Sequence, residues 1–472
     1  MAGPTRPPLA AGRVRARGGP MIFRTEVKRS IAPWAGLALV VVALGFLFLL
    51  SGPWWKVPAP WTAHVTTTAL WLRFVLMFLW PIVVGAGAIQ GMRDSRSGMV
   101  ELLSTTPRPG WHRAAKLAGA VGALTGLGYL LVFAVGVVEV FAHDGFFSPG
   151  FVPVVLVGLL GVVAGSWLGL AVGRLLPHPL AAPGAAVLAL VATILCWISL
   201  EPGLDAVLPV RAGPLVPSLA EPRGSMVTTS ASLDVGQAVW FLGLAATGFL
   251  LLAVNSARAR LLSLLPLVAG AAIALPLFPA LPQDALTADR FAARKVCDGP
   301  VCVAELHSGR LAGLAGPGRE ALAMLAKLPG APTRVEEETL PYFANRVPRR
   351  DPGVVYLDFQ GNKGLLTVDA SDLRLAVLAG AGVPSCERPS AGSLPDEAAR
   401  TIAAAYFTGE LKVPPDFDRG YFNRQFGAIE QVWAEFRALP ADVQFARIVA
   451  VRQALLTCQG EPLDTLVPGA LR

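Results

Sequence analysis

The sequence predicts a polytopic α-helical membrane protein that ends in an α+β extracytoplasmic domain. Three observations predict this class. Of the 472 residues, 54% are hydrophobic and 15% are charged, whereas about a quarter of the residues of a soluble domain are charged. The hydrophobic residues form unbroken blocks, and Lys and Arg are concentrated between particular blocks. Four of the five cysteines follow the last block.

The residues before the first block fall into two parts. Residues 1–20 are rich in Pro, Gly and Arg and lack apolar periodicity, which predicts a disordered tail. In residues 21–34 apolar and charged side chains interleave, which predicts an amphipathic helix at the membrane surface. Met21 is also a second candidate for the start of the native chain.

Seven blocks are long enough to cross a membrane, since a helix needs about 20 apolar residues to span the hydrocarbon core. The predicted spans are 35–50, 70–88, 117–141, 152–175, 182–200, 238–254 and 261–281. Six of them lie in a unit at 35–256, and residues 257–284 hold the seventh. The first span is predicted to be a retained anchor, because SGPWWK follows where a signal peptide would have small cleavage-site residues.

The formal charge of +8 reports membrane topology. Residues 281–472 hold 21 Lys and Arg against 23 Asp and Glu, a net of −2, and the first 280 residues hold 19 against 9, a net of +10. With a cytoplasmic N-terminus, the inside segments carry 15 Lys and Arg and the outside loops carry 3. Positive loops face the cytoplasm. We therefore expect a multi-pass protein of the cell membrane with a cytoplasmic N-terminus, an extracytoplasmic C-terminal domain and no nucleic-acid partner.

The C-terminal domain, residues 285–472, contains four cysteines. They are Cys297, Cys302, Cys386 and Cys458. An even number in an oxidising compartment predicts two disulfides with three possible connectivities, and the short CDGPVC loop favours Cys297–Cys302 with Cys386–Cys458. A zinc site is disfavoured, because there is no Cys-x-x-Cys pair and no partnered His.

The pattern within this domain predicts an α+β fold with a helical end. Residues 316–330 predict a helix that Gly330 closes, and 354–369 predict a β-hairpin across a Gly-Asn-Lys-Gly turn. Three helical patterns follow, at 396–407, 418–439 and 441–458.

Catalytic patterns are missing from the sequence. It has neither the P-loop pattern for nucleotide phosphates nor the His-Glu-x-x-His pattern of zinc proteases. The five histidines are scattered, and each is more typical of an interfacial residue than of a ligand. The carboxylates Glu336, Glu337, Glu338, Asp369 and Asp372 have no assignable acid or base partner and are typical of a solvated face. We expect no enzymatic activity, no cofactor and no metal.

Two charged residues fall inside the predicted spans. Arg73 lies in the second span and Glu139 near the end of the third, and the proposed topology puts both near the outer surface. The two side chains either form an intramembrane charged pair or extend separately to the headgroups.

A polar, basic stretch at 91–116 separates the second and third spans. Its apolar residues Met92, Met99, Leu102 and Leu103 share one side of a predicted helix at about 92–104. Pro107 then ends that helix. The helix either meets an aqueous partner or rests on lipid headgroups.

Within this stretch, GMVELLSTTP at 98–107 resembles the loop signature of type-2 ABC exporter permeases. The resemblance implies a coupling helix that docks into a groove of a separate ABC ATP-binding subunit. The residues it implicates are Arg93, Arg96, Gly98, Met99, Glu101, Leu102, Leu103 and Pro107. Met99 departs from the small hydroxyl residue common in the family.

The resemblance covers residues 21–256 and implies a membrane-spanning subunit of an ATP-driven ABC transporter, an exporter, that forms a homodimer or heterodimer of permeases in contact with membrane lipid. It also implies short helices at 201–224 that dip back into the outer leaflet. The seventh span and the disulfide-bearing domain are additions to the family core. The alternative is a membrane-anchored sensor or scaffold with a ligand-binding extracytoplasmic domain.

Overall fold

The computed structural model describes residues 31–50, 61–93, 110–201, 204–340, 349–360, 365, 369–386, 394–415 and 426–469. Seven helices in these ranges are long and apolar enough to cross a membrane, as predicted. The helices are α1 (Ala32–Gly45, continued by a π-helix Phe46–Leu50), α2 (Val65–Gly91), α3 (Gly110–Ala142), α4 (Phe151–Leu175), α5 (Ala181–Leu200) and α6 (Ala231–Ala253), followed by α7 (Ala257–Leu262) and α8 (Leu265–Leu277), which together form the seventh span.

Several span boundaries differ from the hydropathy prediction, and the physical reason is clear for two of them. Helix α2 begins five residues earlier than predicted, because the hydroxyls of its first turn find buried partners inside the protein. The seventh span ends at Leu277, before the predicted 281. Phe278 precedes Pro279 and adopts extended backbone angles, since a following proline disfavours helical geometry.

Helix α2 lies at the centre of the spans and is buried along most of its length. It packs against α4 and α5, and α4 packs in turn against α6. The seventh span packs on α6 and exposes large apolar side chains on its other sides.

Short strands join the end of the seventh span to the connection between α5 and α6. Strand β1 (Val227–Thr229) pairs antiparallel with β2 (Leu286–Ala288). On the same side, His64 forms a β-bridge with Phe146 in the connection between α3 and α4. We call this side the domain face. The other ends of α2 and α3, near Arg93 and Gly110, lie on the opposite side of the spans, which we call the loop face. The C-terminal domain and the helix ends that flank 94–109 are therefore on opposite sides of the spans.

The C-terminal domain combines a four-stranded sheet with helices, as the α+β prediction required. The sheet has the order β3 (Lys295–Asp298), β4 (Val301–Ala304), β5 (Arg334–Glu337) and β6 (Val354–Leu357); β3–β4 is antiparallel and the other two pairs are parallel. The helices are α9 (Leu311–Leu325), α10 (Ala370–Leu378), α11 (Leu394–Thr408), α12 (Phe426–Arg437), α13 (Ala441–Thr457) and α14 (Pro462–Leu466). Apolar residues from the sheet and these helices share one core.

The helix predictions for this domain agree with α11 and α13, and the described part of 418–439 forms α12. The helix predicted at 316–330 is present as α9, but it begins five residues earlier and ends at Leu325, so Gly330 does not close it. The hairpin predicted at 354–369 is described only in part. Its first run is β6, which pairs in parallel with β5, and most of its second run lies outside the described residues. The hairpin that the structure does describe is β3–β4, which places Cys297 directly opposite Cys302.

Both predicted disulfides, Cys297–Cys302 and Cys386–Cys458, are present. The first closes the β3–β4 hairpin. The second joins Cys386, which lies beyond the end of α10, to Cys458, which directly follows α13. The two cysteines are 72 positions apart in the chain. The remaining cysteine, Cys196, is free and buried in α5.

Candidate functional site

The predicted coupling residues lie between the ends of α2 and α3. Arg93 lies two residues after the end of α2. The others lie in 94–109, outside the described residues: Arg96, Gly98, Met99, Glu101, Leu102, Leu103 and Pro107. Met92, a predicted apolar member of the coupling helix, is buried with Ala88 and Ala182. Met92 therefore packs at the end of α2 and against the beginning of α5.

The loop-face ends of four spans meet around the two ends of this segment. Gly91 at the end of α2 packs on Leu170 of α4, and Gly110 at the start of α3 packs on Ala253 of α6. Arg174, in the last turn of α4, donates hydrogen bonds to the Leu252 carbonyl (2.5 Å) and to Asn255 Oδ1 (2.8 Å). A displacement of segment 94–109 would therefore act on a packed cluster of helix ends.

Helices α2 and α4 touch backbone to backbone at a row of glycines, which we call the glycine crossing. Its members are Gly87 and Gly91 on α2 and Gly169 and Gly173 on α4. A Cβ atom at any of them would overlap a backbone carbonyl of the other helix. Small residues permit such close approach between membrane helices. Because no flexible side chain lies between the two backbones, we expect α2 and α4 to move as one unit.

Arg73 lies in the half of α2 nearer the domain face and is completely buried. Its Nε donates to the Pro217 carbonyl (2.6 Å), one terminal nitrogen donates to the Val154 carbonyl (3.2 Å), and the other donates to Gln237 Oε1 (2.6 Å). A buried charge is tolerated when dipoles replace its hydration. The guanidinium thus joins α2, α4, α6 and the connection between α5 and α6.

The predicted pair of Arg73 with Glu139 does not form. Glu139 is partly exposed and lies beside His143, whose Nδ1 is 3.8 Å from the Glu139 carboxylate. Arg73 instead faces the interior, where Asp234 is the carboxylate that acts on it electrostatically. The sequence did indicate these polar partners of Arg73, because Asp234 and Gln237 stand three positions apart before an apolar run. The prediction missed both residues because it started the sixth span at 238.

The segment around Pro217 runs between the spans. It contains a 3-10 helix, Val210–Leu215, and four consecutive carbonyls that accept hydrogen bonds from side chains. Gln237 Nε2 donates to the Pro214 and Val216 carbonyls, Trp240 Nε1 to the Leu215 carbonyl, and Arg73 to the Pro217 carbonyl. Irregular backbone at membrane depth requires such internal partners. We call 210–217 the inserted segment.

The depth of the inserted segment follows from its neighbours. Pro217 contacts Arg73 and packs on Gly161. These residues are eight and ten positions into α2 and α4 from the domain face, which corresponds to about 12 and 15 Å at 1.5 Å per residue. The inserted segment therefore reaches well into the bundle.

The three consecutive glutamates of the C-terminal domain are buried, so the prediction of a solvated face is wrong. Glu336 pairs with Lys295 and Arg334, and Glu338 lies 3.7 Å from Arg349. The physical reason is that β5 lies inside the sheet, between β4 and β6, where charged side chains need partners.

The middle glutamate, Glu337, binds a histidine that was expected to be interfacial. Its Oε1 is 2.6 Å from His307 Nδ1, and its Oε2 accepts a hydrogen bond from the Ala304 N–H (2.8 Å). The two remaining candidates have a local role: Asp369 caps α10 by accepting from the Asp372 N–H, and this hydrogen bond lowers the pKa of Asp369.

Comparison with known proteins finds no matching family model, no similar curated protein and no similar solved structure. The fold itself defines the class, which is a multi-pass helical protein with seven candidate membrane spans. Its particular features are the glycine crossing, the inserted segment that Arg73 holds, and a domain with two disulfides.

Proposed function

We propose that this chain is the membrane-spanning permease subunit of an ATP-driven ABC exporter, and that a separate ATP-binding subunit drives it through segment 94–109. The observation that carries the proposal is the signature at 98–107, which lies between two helix ends that are packed into the bundle. The chain has no P-loop of its own. The energy must then come from a partner chain, and the natural assembly is a dimer of permeases in the cell membrane.

The contacts support a path from the loop face to the interior. A push on segment 94–109 moves the end of α2, and the glycine crossing carries α4 along. Arg73 on α2 and Val154 on α4 then act together on the inserted segment. Closure of the ATPase dimer would shift these elements against α6 and change access between the spans.

The proposal is tested by reversing the charge at Glu101. We expect Glu101→Lys to abolish stimulated ATPase activity of the purified complex without loss of expression, because the charged contact that fixes the docking helix would become repulsive. The matched control is Asp205→Lys, the same charge change at an exposed residue of the domain face. Full stimulation in the Glu101→Lys complex would argue against docking through this segment.

The second candidate, a membrane-anchored sensor or scaffold, is favoured by one observation. Thr66 at the start of α2 donates a hydrogen bond to Asp289, directly after β2 (3.1 Å). A ligand that moved the C-terminal domain would therefore act on the most buried span. A sensor would purify without an ATPase, and this distinguishes the two functions.

A further inference from the structure

A buried histidine and a buried aspartate meet where the C-terminal domain joins the spans. His64 directly precedes α2, and Asp289 directly follows β2. Their side chains are 0% and 1% exposed, and His64 Nε2 lies 3.8 Å from Asp289 Oδ2. The pair therefore links the first turn of the central span to the first residues of the domain.

The Asp289 carboxylate is held by groups from several elements. Its Oδ2 accepts hydrogen bonds from Thr66 Oγ1 (3.1 Å) and Ser148 Oγ (2.6 Å), and its Oδ1 accepts one from the Phe291 N–H (3.0 Å). These bonds hold the carboxylate in place beside the imidazole ring without involving His64.

The partners of His64 determine where its hydrogen lies. Nδ1 is 3.2 Å from the carbonyl of Ser225, and a carbonyl can only accept, so Nδ1 carries the hydrogen. In the neutral ring, Nε2 is then a bare acceptor that faces the Asp289 carboxylate, and it has no hydrogen-bond partner. One proton on Nε2 would turn this contact into an ion pair, but it would also place a cation in a fully buried site.

Burial decides between these two effects. It lowers the pKa of His64 below its ordinary value of 6.5, and the attraction of Asp289 opposes this to a lesser extent. Phe146 packs beside the ring, and the side chains that bind the same two partners, Thr66 and Ser148 on Asp289 and Thr67 on the Ser225 carbonyl, carry no charge. Arg290, beside Asp289, is exposed and lies over the Phe291 ring. The closed junction therefore holds a neutral imidazole.

We propose that His64 and Asp289 form a proton-sensitive latch, which holds the C-terminal domain against the spans at neutral pH and releases it on acidification. A ring released into water binds a proton more tightly than the buried ring does. The closed form consequently loses stability as the pH falls from 6.5 toward the lowered pKa of the buried ring. One proton taken up on opening raises the opening constant by at most about tenfold per pH unit.

Amide hydrogen exchange of the full chain in lipid nanodiscs measures this opening. The reporting amides are those that close the junction, including Asp289 N–H to the Met226 carbonyl (2.9 Å) and Ser230 N–H to the Ala285 carbonyl (3.0 Å). After correction for the intrinsic chemical rate, we expect exchange of these amides to accelerate several-fold between pH 6.5 and pH 5. Exchange that does not depend on pH in the wild type would overturn the latch.

Three variants separate the latch from a general effect of acid. His64→Gln keeps a donor for the Ser225 carbonyl but cannot titrate, so the acid response should vanish. His143→Gln, at a partly exposed histidine of the same face, should keep it. Asp289→Asn removes the opposing attraction and lowers the pKa of the buried ring further, so the acceleration should begin at the same pH but level off at a lower pH. A response that survives in His64→Gln overturns the proposal, and where that variant does not fold, an unchanged levelling-off pH in Asp289→Asn does so. None of these readouts depends on an ATPase, so the latch can fail without affecting the proposed function.

Discussion

At the scale of single residues, Arg73 shows how a charge is kept inside the bundle. It has no carboxylate within salt-bridge distance among the described residues, and two carbonyls and the Gln237 amide oxygen surround it instead. Hydropathy could flag Arg73 as unusual, but its partners could not be predicted, because Val154, Pro217 and Gln237 are 81 to 164 positions away in the chain.

Replacing Arg73 with Gln tests this role. A glutamine side chain can donate hydrogen bonds to only some of the three acceptors that bind Arg73. We therefore expect the free energy of unfolding to fall by about 2–4 kcal/mol. Amide exchange in the inserted segment should rise as well. Unfolding in detergent, followed by circular dichroism, checks the first effect. Arg211→Gln, at an exposed arginine of the same segment, is the control. Equal behaviour of both variants would contradict the assigned role.

At the scale of elements, the spans were predictable and their contacts were not. Long apolar runs identify all seven helices, because the hydrocarbon core excludes polar side chains. The same criterion misses the first turns of α2 and α6, whose polar residues Thr66 and Asp234 form hydrogen bonds inside the protein. The glycine crossing was also missed, since glycine is frequent throughout the chain and only packing shows which glycines need to lack a side chain.

A methyl group placed at the glycine crossing tests its role. We expect Gly169→Ala to lower the melting temperature by several degrees and to reduce stimulated ATPase activity, because the new Cβ would push α2 away from α4. The matched control is Gly184→Ala in α5, where an added Cβ meets no atom within 4 Å. Differential scanning fluorimetry measures the first effect. Unchanged stability and coupling in Gly169→Ala would show that the close contact is dispensable.

At the scale of the whole molecule, the fold separates two faces of the spans. The helix ends that flank 94–109 lie on the loop face, and the disulfide-bonded domain lies on the domain face. Charge asymmetry predicts that the loop face is cytoplasmic. The number of spans then fixes the side of the domain, and the two disulfides agree with an oxidising compartment.

Thiol labelling in intact cells tests this orientation. The native background is low, because Cys196 is buried and the other four cysteines are in disulfides. A membrane-impermeant maleimide should label Ser308→Cys, an exposed position of the domain, without permeabilisation. It should label Ser95→Cys only after permeabilisation. The reverse pattern would place the coupling segment outside the cell and remove the basis for docking to an ATPase.

The proposed dependence of this chain on a separate ATP-binding subunit is tested most directly by purifying the chain from its native membrane in mild detergent. We expect a P-loop ATP-binding protein, identified by mass spectrometry, to purify with it in a fixed ratio, and its ATP hydrolysis to depend on the complex. Purification of the intact chain without any P-loop protein, under conditions that preserve its seven spans, would contradict the transport proposal.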